Sequence, residues 1–223
     1  MYSRENPSER YTTLLNIYKK LHVEGEKTMG LPPENTFPGQ SLIPQAPDIK
    51  RIISATKSKN IFDYGSGKGQ QYEPRPIVVK DENAKYNSIP EFWGIKDVTC
   101  YDPCYEPYNT LPKGKFDGVI CTDVLEHCPE EDIDWVLDGL FSFAEKFVYA
   151  NIASYPAQKI LPNGENAHCT IKPLDWWVDK IDAVSKHYPN IVFEMWVEQK
   201  IVIDGKDQME RRRVANFNYQ SQK

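Results

Sequence analysis

The chain has 223 residues, 40% hydrophobic and 26% charged, with a net charge of −5 at pH 7, which suits one soluble globular domain with a sizeable core. The acidic balance argues against broad phosphate-backbone binding, which needs a basic face. No apolar run reaches membrane-spanning length and the amino terminus lacks an apolar signal core, so a cytoplasmic protein without a membrane partner is expected.

Ser8 is placed to cap a first helix running to about Gly25, with Tyr11, Leu14, Leu15, Tyr18 and Leu21 on one apolar face. That face packs on the core or serves as a substrate lid. Residues 29–47 hold five prolines and two glycines and read as an ordered loop, so 1–47 forms an amino-terminal extension of a single domain, 1–223. Pro47-Asp48 opens a helix carrying Ile49, Ile52 and Ile53, which leads to a strand at Asn60. Pro74 and Pro76 break any long helix after that strand. Residues 73–96 read as a truncated helix plus an insertion holding Tyr86, Phe92 and Trp93, which either shapes a substrate pocket or packs on its own aromatics. A strand ends at Tyr101, and another begins near Phe116. Pro129 begins a helix with three acids in its first turn, complementing the helix dipole. Phe147 to Ala153 reads as a buried strand, followed by a polar loop to His168 and a helix opened by Pro173. Ile191–Ile203 and Arg211–Phe217 predict a final antiparallel pair joined near Asp204-Gly205, with Gln220–Lys223 a frayed end.

Three segments carry chemistry. The first is Asn60-Ile61-Phe62-Asp63-Tyr64-Gly65-Ser66-Gly67-Lys68-Gly69, an apolar strand ending in an acid and three alternating glycines. Glycine permits the tight turn and leaves bare backbone for a ligand. The dinucleotide fingerprint fails at Gln70, and the P-loop pattern fails at Phe62 and Gly69. The second is Val98-Thr99-Cys100-Tyr101-Asp102-Pro103. The third is Lys115-Phe116-Asp117-Gly118-Val119-Ile120-Cys121-Thr122-Asp123-Val124-Leu125-Glu126-His127-Cys128. Their order and content resemble the class I S-adenosyl-L-methionine (AdoMet)-dependent methyltransferases.

The resemblance implies a Rossmann-like α/β fold, with a mostly parallel central sheet, helices on both faces and the carboxyl-terminal antiparallel pair. It implies AdoMet as cofactor, with Asp63, Tyr64, Gly65, Ser66, Gly67 and Gly69 along its methionine and ribose portions. Asp102, with Pro103, would accept both ribose hydroxyls, and Thr122, Asp123 and Val124 would border the methionine end. The chain also departs from the family. Asp102 lies 39 positions after Asp63, against about 20 between a glycine loop and its ribose acid in dinucleotide folds. The stretch from Pro103 to Phe116 is too short for the usual helix and third strand, so the adenine-contacting residue is not assigned.

AdoMet carries an activated methyl, so the protein must position an acceptor and, where needed, remove its proton. His168, in the loop after the fifth strand, is the leading base candidate, with a loop-bracing hydrogen bond as the alternative. His127 is a weaker candidate. Tyr72, Tyr155, Asn166 and Trp176 are candidate substrate contacts. Arg211-Arg212-Arg213 reads as a solvated strand, because alternation splits the three between two faces. Five cysteines without a C-x-x-C pair read as reduced thiols, and Cys100 and Cys104 lack the further pair a zinc site needs, so no metal is expected. The expected activity is methyl transfer to a small molecule, with nucleic acid or protein acceptors open. An AdoMet-cleaving lyase or hydrolase and a non-catalytic AdoMet-binding protein are the alternatives. The oligomeric state is not legible.

Overall fold

The computed structural model describes residues 2–27, 29–79 and 84–218, so the expected frayed tail and part of the 73–96 insertion lie outside the described residues. Helix α1 spans Glu9–Glu24 and starts as its cap requires, with Ser8 Oγ accepting from the Tyr11 amide at 2.9 Å. The Ser8 hydroxyl in turn donates to buried Asp132, and the Ser8 amide donates to the same carboxylate at 3.0 Å. The amino-terminal extension is thereby tied to the body of the protein. Helix α2 spans Ala46–Thr56 and buries Ile49, Ile52 and Ile53, the expected stripe.

Strand β1 (Asn60–Tyr64) is followed by a single 3-10 turn, Gln70–Tyr72, rather than a helix. The insertion then forms a small hairpin, β2 (Ile77–Val79) with β3 (Ala84–Tyr86), and a short helix α3 (Ile89–Trp93). Phe92 and Trp93 are buried, and Trp93 Nε1 donates to the Ala46 carbonyl at 2.9 Å. The insertion thus packs its aromatics against α2. Strand β4 (Asp97–Tyr101) and strand β5 (Phe116–Thr122) follow, joined by turns alone. The helix expected at Pro129 begins one turn later: Glu130–Asp132 make a 3-10 turn, and α4 spans Ile133–Phe143. Strand β6 (Ala144–Ala153) starts directly at the end of α4, three residues earlier than the apolar run suggests. Helix α5 (Leu174–Ser185) leads to β7 (Val192–Ile203) and β8 (Lys206–Ala215). The last hairpin is tighter than expected because Asp204 and Gly205 both adopt positive φ, 52° and 73°. That two-residue turn lets Ile203 pair with Lys206 and starts β8 five residues early.

The six-stranded sheet runs β4-β1-β5-β6-β7-β8, parallel except for the β7–β8 pair. Successive residues of the central strands enter two different cores, as the period of two demands. Phe62, Val119, Cys121 and Val148 join Val136, Leu140, Trp177 and Ile181 from α4 and α5 on one face. Ile61, Ile120, Phe147 and Tyr149 join Ile49, Ile52 and Trp93 from α2 and α3 on the other. Helices therefore cover both faces. From β1 the chain crosses one way to β4 and then back past β1 to β5. The order reverses there, and the crevice at the strands' carboxyl ends is the place where ligands bind in open α/β sheets.

Candidate functional site

A cavity of about 600 Å³ opens at that reversal. Its floor comes from the strand ends: Tyr64, Gly65, Gly67, Asp102, Pro103, Thr122, Asp123 and Val124 all line it.

The glycine loop is shaped by contact. Gly65, at φ 83°, has room for no side chain, since a Cβ would lie 2.4 Å from Val124 Cγ2. The Gly65 and Ser66 amides both donate to the Tyr101 carbonyl, at 2.7 and 3.0 Å. The Gly67 amide donates to Asp102 Oδ2 at 3.0 Å, and the Cys104 amide to Oδ1 at 2.8 Å. Asp102 is thereby fixed between two loops, and each oxygen retains a second lone pair. Burial pushes its pKa up, while the Cys104 and Gly67 amides and the Lys68 ammonium pull it down.

Asp63 stands elsewhere. Its carboxylate is buried beneath the loop and accepts from the Tyr72 hydroxyl at 2.8 Å and from Gln71 Nε2 at 3.1 Å. Burial pushes its pKa to about 7. Asp63 therefore supports the loop from behind and is not part of the cavity lining. Ser66 is also buried away from the lining, and Gly69 lies under the Tyr108 ring.

Three of the expected substrate contacts also lie outside the cavity lining. Tyr72 is held by Asp63 and sits edge-on to Trp93. Asn166 spends its side chain on its own loop, accepting from the Ala157 and His168 amides and donating to the Ala157 carbonyl. Trp176 packs against Trp177 and beneath Lys172 and Lys180. None of the three lines the cavity, whereas Tyr155 does.

Both expected histidines do too, and they come together. His127 Nδ1 lies 2.8 Å from the Ala167 carbonyl, and His168 Nδ1 lies 2.6 Å from the Tyr155 carbonyl. A carbonyl only accepts, so each Nδ1 carries a proton, and in the neutral ring the lone pair is on Nε2. The rings meet edge to face with centroids 4.8 Å apart. Burial pushes the His127 pKa down to about 4. Asp123 completes the group from a left-handed backbone conformation, φ 60°, which aspartate tolerates better than most residues. One ligand atom from each of Asp123, His127 and His168 lies within 4.8 Å of the other two. Behind them, fully buried Glu126 accepts from the Ala153 amide at 2.7 Å through Oε1. Burial, the charge of Asp123 and a hydrogen bond with its side chain push the Glu126 pKa well up.

The opposite wall belongs to the amino-terminal extension. Tyr18 and His22 from α1 and Phe37 from the proline-rich loop line the cavity, with Lys159 beside them. The Phe37 carbonyl accepts from the Lys68 amide at 2.9 Å, which docks the loop on the glycine turn. Tyr18 donates to the Ala167 carbonyl at 3.1 Å. Burial, with Lys68 and Lys159 nearby, pushes His22 down to about 3. Neutral His22 accepts from the Lys68 ammonium at Nδ1, 3.0 Å, so its Nε2 carries the proton and lies 3.9 Å from Asp102 Oδ1. The sequence signal for this wall was the helical spacing itself: Tyr11, Leu15, Tyr18 and His22 follow one stripe of α1.

Among the described residues, no helix is long and apolar enough to cross a membrane. The five cysteines are all free thiols. No protein-family model and no curated protein sequence matches the chain.

Proposed function

We propose that this chain is an AdoMet-dependent methyltransferase of the Rossmann-like class I type, acting on a small-molecule acceptor. The observation that carries the reading is convergence. Three segments separated in sequence, the glycine loop, Asp102 and Thr122–Val124, meet on one cavity at the strand-order reversal. The size of that cavity falls within the range of small-molecule sites, about 300–1,000 Å³.

The residues present fit the cofactor. Gly65 and Gly67 offer backbone without side chains, and Asp102 offers a fixed carboxylate with a free lone pair on each oxygen for a pair of vicinal hydroxyls. Bound AdoMet would supply an electrophilic methyl on a cationic sulfur. The protein's own part is to orient and desolvate. Asp102 would accept the ribose hydroxyls, Val124 and Tyr64 would bound the methionine end, and α1 with the Phe37 loop would exclude water. On the acceptor side, the His127 and His168 Nε2 lone pairs can take a proton from an acceptor or hold a group that lowers its pKa. A small acceptor is favoured by the roof of α1 and Phe37 over the cavity and by the acidic net charge. The family's third strand has no counterpart among the described residues, because only turns join β4 to β5.

Calorimetric titration with AdoMet, S-adenosylhomocysteine, NAD and ATP tests the reading. The first two are expected to bind, the last two not. Tight NAD binding without an AdoMet response overturns it. Turnover with a screened metabolite pool then separates methyl transfer, which yields S-adenosylhomocysteine with a methylated product, from AdoMet cleavage and from binding alone.

A further inference from the structure

We infer that Asp123, His127 and His168 form a binding site for a first-row divalent transition-metal ion such as Zn²⁺ or Co²⁺. Their three ligand atoms lie within 4.8 Å of one another and the residues line the same cavity. Around an ion with bonds of roughly 2.1 Å, neighbouring ligand atoms stand about 3–3.5 Å apart. Small rotations of three side chains close that difference.

Two further observations point the same way. First, both imidazoles are set up as ligands. Each Nδ1–H is anchored on a backbone carbonyl, Ala167 for His127 and Tyr155 for His168, so the lone pair is on Nε2. Such outer hydrogen bonds fix the tautomer and ring direction of metal-binding histidines. The anchors come from two loops distant in sequence, and Tyr18 Oη braces His127 Nδ1 at 2.9 Å. Second, fully buried Glu126 lies behind Asp123 and hydrogen-bonds its side chain, so the carboxylate facing the cavity is backed by a second carboxyl. Ligating carboxylates are characteristically held by such outer hydrogen bonds, as the imidazoles are by their carbonyls.

The donor set selects the ion. Two imidazoles and one carboxylate suit zinc, cobalt, nickel, iron or manganese, whereas magnesium and calcium favour all-oxygen cages. Three protein ligands leave positions open to the cavity, as in catalytic rather than structural sites. If the chain is the methyltransferase proposed above, the ion would hold an acceptor oxygen and lower its pKa, and His168 would act as ligand rather than base.

The test uses the full chain, stripped with a chelator and titrated with Zn²⁺ by calorimetry and with Co²⁺ by visible absorption. One ion per chain is expected, with ligand-field bands and no thiolate charge-transfer band. Asp123→Asn, His127→Gln and His168→Gln, each confirmed folded by circular dichroism, should each weaken binding at least about 100-fold. Nitrogen NMR of the wild type needs no variant: Zn²⁺ should move Nε2 of His127 and His168 and leave His22 and His187 unchanged. No stoichiometric binding, a thiolate band, shifts confined to other histidines, or folded variants of wild-type affinity would each overturn the inference. AdoMet titration of the same metal-free protein reads the methyl-donor proposal separately.

Discussion

Two regions of the sheet are rich in charged and polar side chains, and they use them in opposite ways. At the β7–β8 edge the cations meet partners within the protein. Arg211 reaches Asp48 at 2.9 Å and stacks over Trp196, Arg212 pairs with Glu210 at 2.5 Å, and Arg213 meets Glu194 at 3.1 Å. At the carboxyl ends of β1 and β5, hydrogen-bonding capacity is left over. His127 and His168, as neutral rings, each present an Nε2 lone pair, and Asp102 keeps one on each oxygen. A polar group saturated by protein atoms holds the fold together. One that is positioned by protein atoms but left with spare capacity beside a cavity is built for something absent from the chain. The arginine run, the most conspicuous charge feature in the sequence, falls in the first class. The histidines, separated by 41 positions, fall in the second.

The largest effect that tests this contrast is expected at His168. If its spare lone pair serves the reaction, His168→Ala lowers methyl transfer by at least about 10²-fold with AdoMet affinity near wild type, as read by turnover and titration. Retained turnover would move His168 to the saturated, structural class.

Asp63 sharpens the contrast by pH. Its pKa is 3.8 in an open chain and about 7 in the fold, raised by burial. Between those values the unfolded chain is ionised there while the native state holds the proton. Stability from this group therefore falls as pH rises from about 4 to 7 and levels off above. A rise of that size corresponds to at most roughly 4 kcal/mol. Asp63→Asn should remove the slope, so its stability relative to wild type should increase from pH 4.5 to pH 8 in urea denaturation. A parallel pair of pH profiles would show that Asp63 is ionised in the fold.

Asp102 belongs to both classes, since it braces Gly67 and Cys104 while facing the cavity. Asp102→Ala should weaken AdoMet binding by ~1.5–3 kcal/mol, the worth of hydrogen bonds to a charged acceptor. It should also lower the melting temperature, because two loop amides lose their partner. A stable variant with unchanged AdoMet affinity would place the ribose acceptor elsewhere.

The smallest effect is expected at the edge. Arg211→Ala breaks half-exposed ion pairs, worth about 0–1 kcal/mol each. A small loss in denaturant midpoint and no change in ligand affinity are expected. A large affinity loss would show that the arginine face serves binding.

The local order of the chain was legible because it follows from short-range rules. Ser8 caps α1, the Ile49–Ile52–Ile53 stripe makes α2, and the glycine alternation turns the chain after β1. Glycine positions, acids at strand ends and alternating apolar runs are set by backbone sterics within a few residues, so the sequence determined the cavity's floor at Gly65, Gly67, Asp102 and Asp123. Tertiary structure decided which polar atoms are used up. Asp63 and Asn166 looked like ligand contacts by position, yet Tyr72, Gln71 and the 157–168 loop consume them. It also decided the cavity's other wall, since nothing local says that Phe37 will dock on Lys68 or that α1 will cover the strand ends. The meeting of His127 with His168 is the clearest case. Each tautomer is set by a carbonyl distant in sequence, and hydrogen-bond saturation is a property of three-dimensional neighbours rather than of residue type.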